Sequence, residues 1–129
     1  MVGPDLRHEK IKSGAALLEQ LDSAGVRVDM ALWHYSSQRE NWRLILSLPK
    51  LARKAPLRAY EAVQNAYNRI PAEQRDLDLT EITLSPAYHE LLKRLRVARR
   101  KGELRQGIRI SHHGLQGMLI EDAYIYRVF

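Results

Sequence analysis

Two adjacent pairs of reactive side chains lie near the C-terminal end of the sequence. His112 follows Ser111 and precedes His113, and Glu121 precedes Asp122. Imidazole and carboxylate groups are the ligands that metal-dependent nucleases use. Neighbouring residues of a strand point to opposite faces, so two adjacent histidines do not converge on one ion without a bend. We therefore expect no catalytic residue and no metal site, and a nuclease-like enzyme built on this C-terminal hairpin is the alternative.

The strongest chemical signal is a basic segment, KRLRVARRKGELR, that spans residues 93–105. Seven of its thirteen residues are basic and only Glu103 is acidic. Like charges three or four residues apart on a helix repel by about 0.2–0.5 kcal/mol per pair, and a role in binding phosphate would explain that cost. The alternative is a solvated helix whose last turn favours cations. The predicted nucleic-acid-binding residues are Lys93, Arg94, Arg96, Arg99, Arg100, Lys101 and Arg105.

A second basic patch follows the second predicted strand. It contains Lys50, Arg53, Lys54 and Arg58, and we expect it to lie near the basic segment in the folded protein.

The composition narrows the possible functions further. The chain has 129 residues, a net charge of +6 and no cysteine, which excludes disulfides, thiol catalysis and cysteine-bound zinc. It has none of the glycine-rich nucleotide-binding motifs and no GxSxG, so we expect no cofactor. No apolar run approaches the roughly 20 residues of a membrane helix, and the charged N-terminus does not resemble a secretory signal. We expect one cytoplasmic domain over residues 1–129 and no membrane partner.

The elements that position these groups follow from the spacing of apolar residues. Leu6 to Ala24 has a helical period and ends at Gly25, and VRVDMALWHY and WRLILSL alternate as the strands of an antiparallel hairpin. A helix from Pro56, a short strand in LTEITLS, a helix from Ser85-Pro86 and a final hairpin complete the order α-β-β-α-β-α-β-β. We predict an α+β two-layer sandwich: a mainly antiparallel sheet of about five strands with three helices on one face.

The alternation also predicts an open face of this sheet. Met30 and Leu32 are expected under the helices together with Leu44 and Leu46. Aromatic and arginine side chains then occupy the uncovered face, where they suit a protein interface, including self-association, or base stacking on single-stranded nucleic acid. The predicted interface residues are Arg27, Trp33, Tyr35, Arg43, Arg109, Tyr124 and Tyr126.

The last hairpin is expected to be structural. Ile108 and Ile110 alternate with polar residues, and Gly114 and Gly117 give the backbone freedom of a turn. The apolar phase of the final strand slips, and a bulge at Glu121-Asp122 would restore it.

The C-terminal pattern GMLIEDAYIYRVF resembles the ending of a family of small bacterial proteins of similar length, and the ALWHY…NWRLIL hairpin resembles that family too. The resemblance covers most of the chain and implies a bacterial origin and a compact domain, without an assigned activity. We therefore predict a small basic bacterial interaction module, non-catalytic, that binds a protein partner, nucleic acid or both. The alternatives are the nuclease-like enzyme and a self-associating structural subunit.

Overall fold

The computed structural model describes residues 5–49, 55–84 and 89–129. This part of the chain forms three α-helices and five strands, with two short 3-10 turns before the third strand. The helices are α1 (His8–Ser23), α2 (Pro56–Arg69) and α3 (His89–Arg100). The strands are β1 (Met30–Ser36), β2 (Asn41–Ser47), β3 (Ile82–Leu84), β4 (Ile108–Leu115) and β5 (Met118–Val128).

The strands form one mixed sheet in the order β3-β2-β1-β5-β4. Only the short β3 runs parallel to its neighbour, and the other pairs are antiparallel. The α+β class and the five-stranded sheet are therefore confirmed, and the elements of the described residues follow one another in the predicted order. The predicted helix start at Ser85-Pro86 lies outside the described residues, as do Lys50, Arg53 and Lys54.

The helices are divided between the two faces of the sheet, which corrects the expectation that they cover one face. Leu17 and Leu21 of α1 and Val63 of α2 pack in one apolar cluster with Trp33 and Leu44. The buried residues of α3 pack in a second cluster against the opposite face. That cluster contains Met30, Leu32, Ile45, Leu91, Leu92, Leu95, Ala98, Ile125 and Val128.

The register between β1 and β2 explains this difference. Residues that pair directly across two strands point to the same face. Trp33 pairs with Leu44, while Leu32 pairs with Ile45. The sequence interpretation placed Leu44 on the face of Leu32, which is one residue out of register. A shift of one residue exchanges the two faces of a strand. Both faces of this hairpin are apolar, so alternation within each strand does not reveal the pairing.

The C-terminal hairpin has the predicted position, with Gln116 and Gly117 forming its turn. Both turn residues have positive φ, 50° and 76°, which glycine adopts at no steric cost. Ile120 and Ala123 pack in the same cluster, so the phase changes at Glu121-Asp122. The predicted bulge is not the cause, because one residue separates the pairs Ser111–Asp122 and His113–Ile120 in each strand and the register does not shift. A second change was not predicted: Ala31 pairs with Arg127 and Leu32 with Ile125, leaving Tyr126 as the extra residue.

Candidate nucleic-acid interface

The basic segment forms α3 and the turn that follows it. The apolar residues Leu91, Leu95 and Ala98 of α3 are buried against the sheet, because residues three and four apart share one side of a helix. The opposite side carries Lys93 and Arg100, two turns apart, with the half-buried Val97 between them. We call these three residues the crest of α3. The packing against the sheet therefore turns the two cations outward.

Arg94 is a structural residue, because its side chain attaches α3 to the C-terminal hairpin. Its Nη1 donates to the backbone oxygen of Gln116 at 2.8 Å. Its Nε donates to Glu90 Oε1, one helical turn earlier, at 3.1 Å. The side-chain amide of Gln116 in turn donates to Glu103 at 2.7 Å. The acidic residue of the basic segment is thus held by the hairpin turn.

Arg96 attaches the other flank of α3 to the beginning of β1. Its Nη2 lies 2.8 Å from Asp29 Oδ2, and its Nε donates to the backbone oxygen of Phe129 at 3.4 Å. Asp29 is only 6% exposed, and its second carboxylate oxygen is buried and has no hydrogen-bond partner among the described residues. Arg96 is therefore the counter-ion of a buried carboxylate.

The remaining cations of the segment face solvent. Within the described ranges, none of them forms an ion pair with a carboxylate. Over residues 89–107 seven basic residues face two acidic ones, so this stretch carries most of the net charge of +6. We call the exposed cations the free basic surface: Lys93, Arg99, Arg100, Lys101 and Arg105.

The predicted open sheet face does not exist in the structure, because α1 covers it. Trp33 is fully buried and Tyr35 is 7% exposed. The indole nitrogen of Trp33 donates to Tyr126 Oη at 3.0 Å, and Tyr126 Oη donates to the backbone oxygen of Ile11 in α1 at 2.6 Å. Burial is the main cause that raises the pKa of Tyr126. These aromatic residues are core residues, and the half-buried Tyr124 packs against Tyr126 with ring centroids 5.0 Å apart.

The arginines assigned to that face are separated. Arg43 lies on the α3 side, opposite His34, and donates to Thr83 Oγ1 at 2.7 and 2.9 Å. Arg109 is on the α1 side, where its guanidinium lies 5.5 Å from the ring centroid of Trp42. Arg27 is exposed before β1. The three arginines therefore do not share one surface in the described part of the chain. The predicted protein interface and the self-associating alternative were both based on an open sheet face, which α1 covers.

The carboxylates of the last hairpin already have partners. Glu121 accepts hydrogen bonds from the backbone nitrogen and hydroxyl of Ser37, at 3.0 and 2.8 Å. Asp122 accepts two from Arg109, at 3.0 and 2.8 Å, and one from Ser111. Although burial acts to raise the pKa of Asp122, these hydrogen bonds hold it below the usual value. The two carboxylates thus stabilise the hairpin and the loop beside it.

The two histidines of β4, His112 and His113, are exposed, and His112 has a positive φ of 46° that interrupts the regular strand. Among residues 5–49, 55–84 and 89–129, no three His, Asp or Glu side chains come close enough together to hold a metal ion.

The different roles of the arginines in α3 were not apparent from the sequence. The spacing of Glu90 and Arg94 permits an i,i+4 ion pair, which the structure contains. Asp29 is 67 residues from Arg96 in the sequence. The one indication of their contact was that Asp29 is a carboxylate at the start of a buried strand, where it needs a charged partner.

The described helices include none that is both long and apolar enough to cross a membrane. Comparison of the chain with protein-family models, curated proteins and solved structures yields no match.

Proposed function

We propose that this protein is a nucleic-acid-binding module and that the free basic surface of α3 is its contact site. The observation that carries the proposal is the set of five exposed cations that have no carboxylate partner in the described part of the chain. Clustered cations on one face attract the phosphate backbone and release its counter-ions on binding.

The separation of the arginines into two groups supports this function. Arg94 and Arg96 fix the helix to the hairpin and to β1, while the other cations of the segment form no ion pair or side-chain hydrogen bond with the described residues. Cations that stabilised the protein would instead be expected to face carboxylates. The exposed cations of the free basic surface repel one another within α3, and bound phosphates would offset this repulsion.

The proposal is tested by fluorescence anisotropy with labelled duplex DNA, single-stranded DNA and RNA in about 50 mM salt. Lys93→Ala combined with Arg100→Ala should weaken binding and reduce the magnitude of the slope of log K against log salt, because two cations are removed from the surface that faces the polyanion. This double variant should melt near the wild-type temperature, because the two side chains lie off the core.

The matched control removes the same charge from the other side of the sheet. Arg58 and Arg69 are exposed residues of α2, and Arg58→Ala combined with Arg69→Ala lowers the net charge equally. This control should retain most of the affinity and the slope. Equal loss in both double variants, or no wild-type binding to any of the three nucleic acids, would contradict the proposal.

A further inference from the structure

We infer that the nucleic acid is double-stranded DNA and that α3 inserts its crest into the major groove. This inference rests on the proposed function and adds the class of nucleic acid and the mode of docking. It follows from the shape of the surface around α3, from the fixed rotation of that helix and from the positions of the exposed aromatic residues.

Among the described residues, α3 is the one helix on its side of the sheet and therefore forms a ridge there. In the described part of the chain, α1 and α2 pack on the opposite face, and only α3 contributes helical residues to the second core cluster. A helix with its side chains is about 10–12 Å wide, and the B-form major groove is about 12 Å wide. A single protruding helix therefore fits this groove.

The helix is held at a fixed rotation about its own axis. Arg94 and Arg96 are two residues apart, so they leave the helix roughly 200° apart around its axis. Each is fixed at 2.8 Å, one to Gln116 and the other to Asp29. Lys93, Val97 and Arg100 are consequently presented on the outer side without further reorganisation. Little conformational entropy remains to be lost by the helix on binding.

The residues of the crest and of the following turn suit the two parts of a duplex. Lys93 and Arg100 lie about 10.5 Å apart along the helix axis. Lysine and arginine pair with the guanine edge in the major groove, and an apolar group such as Val97 contacts the thymine methyl. Arg99, Lys101 and Arg105 lie at the end of the helix and beyond it, where they can reach phosphates at the groove margin.

The surface is less suited to single strands. Sites for single-stranded nucleic acid combine a basic groove with aromatic side chains on which bases stack. The exposed large aromatic residues in the described ranges are Tyr60 and Phe129, and neither lies on α3. Tyr60 belongs to α2 on the other face, and the guanidinium of Arg127 lies 5.7 Å from the ring centroid of Phe129. Double-stranded RNA is also disfavoured, because its major groove is deep and narrow.

The test compares a DNA duplex, an RNA duplex of the same sequence and single-stranded DNA with the same number of phosphates. In about 50 mM salt the DNA duplex should bind roughly tenfold or more tightly than either of the others. Methyl green, a major-groove ligand, should displace the protein from the duplex, and netropsin, a minor-groove ligand, should not. Phe129→Leu should leave the affinity for the DNA duplex unchanged.

Equal or tighter binding of single-stranded DNA or of the RNA duplex would overturn the inference. Displacement by netropsin but not by methyl green would overturn it as well. In these cases the loss of affinity in the Lys93 and Arg100 double variant would still support the proposed function. Absence of binding to all three nucleic acids would contradict the proposed function itself, so the two failures are distinguishable.

Discussion

Arginine has three different roles within a single turn and a half of α3. Arg94 binds a backbone oxygen of the hairpin turn, Arg96 neutralises the buried Asp29, and Arg99 and Arg100 are exposed. The residue type is the same, and the direction in which each side chain leaves the helix decides its surroundings. The effect of removing one of these arginines on stability therefore depends on its position in the helix.

Arg96→Ala should lower the free energy of unfolding by about 1–3 kcal/mol, because it leaves a buried carboxylate without its counter-ion. Arg100→Ala should change the free energy of unfolding by no more than about 0.5 kcal/mol. Urea denaturation followed by circular dichroism measures both. Equal stability of the two variants would contradict the assignment of Arg96 as a structural residue.

His34 is the second residue with a testable individual effect. Burial is the main cause that lowers its pKa, while the nearby Glu121 acts to raise the pKa and Arg39 to lower it. The folded state therefore favours the neutral imidazole, whereas the unfolded chain takes up a proton near pH 6.5. Stability contributed by the neutral form is present above that pH and is lost as the pH falls from about 6.5 through the folded-state pKa.

We expect the melting temperature of the wild type to decrease between pH 7 and pH 5, and His34→Gln to reduce that decrease. His113→Gln, which removes an exposed imidazole, is the matched control. Thermal unfolding at half-unit intervals of pH measures both. A pH profile of His34→Gln that parallels the wild type would contradict this origin of the acid sensitivity.

Among the secondary-structure elements, the contact of α1 with the sheet depends on close approach at Gly14. Tyr126 Oη lies between the helix and Trp33, and it joins both by hydrogen bonds. A Cβ atom added at Gly14 would overlap Tyr126 Oη and Cζ and lie 3.1 Å from the indole nitrogen of Trp33. The absence of a side chain at this position therefore allows α1 to cover the aromatic residues of β1 and β5.

Gly14→Ala should destabilise the protein by about 1–3 kcal/mol, the usual cost of inserting a methyl group into a packed core, despite the higher helix propensity of alanine. The double variant with Tyr126→Phe lacks the hydroxyl that would overlap. The penalty for Gly14→Ala should therefore be smaller in the Tyr126→Phe background than in the wild type. A double-mutant cycle by chemical denaturation measures this difference, and strict additivity would contradict the proposed contact.

For the molecule as a whole, the charge is distributed unevenly about the sheet. The stretch 89–107 on one side has five more basic than acidic residues. On the other side, α1 and residues 72–81 carry seven acidic and three basic residues, and two of the acidic residues, Asp22 and Asp76, form ion pairs with Arg127 and Arg7. An asymmetric field of this kind orients an approaching polyanion toward the basic side and accelerates association at low salt.

Much of this organisation is readable in the sequence because it depends on local rules. Alternating apolar residues identified the two hairpins, the helical period identified the elements that pack on them, and the charge of residues 93–105 located the basic surface. The change of phase at Glu121-Asp122 was also readable, because the apolar residues on its two sides differ in parity, although the structure makes this change without the predicted extra residue.

The tertiary structure alone decided which face each residue occupies and which cations are free. Pairing of Trp33 with Leu44 placed apolar residues on both faces of the sheet, so helices cover both and the aromatic residues of β1 lie in the core. The contact of Arg96 with Asp29 joins residues 67 positions apart. Strand register and long-range ion pairs depend on the simultaneous packing of distant segments, which no local pattern encodes. The sequence by itself therefore determined the elements and their charges, and the packing determined which of those charges remain available for binding.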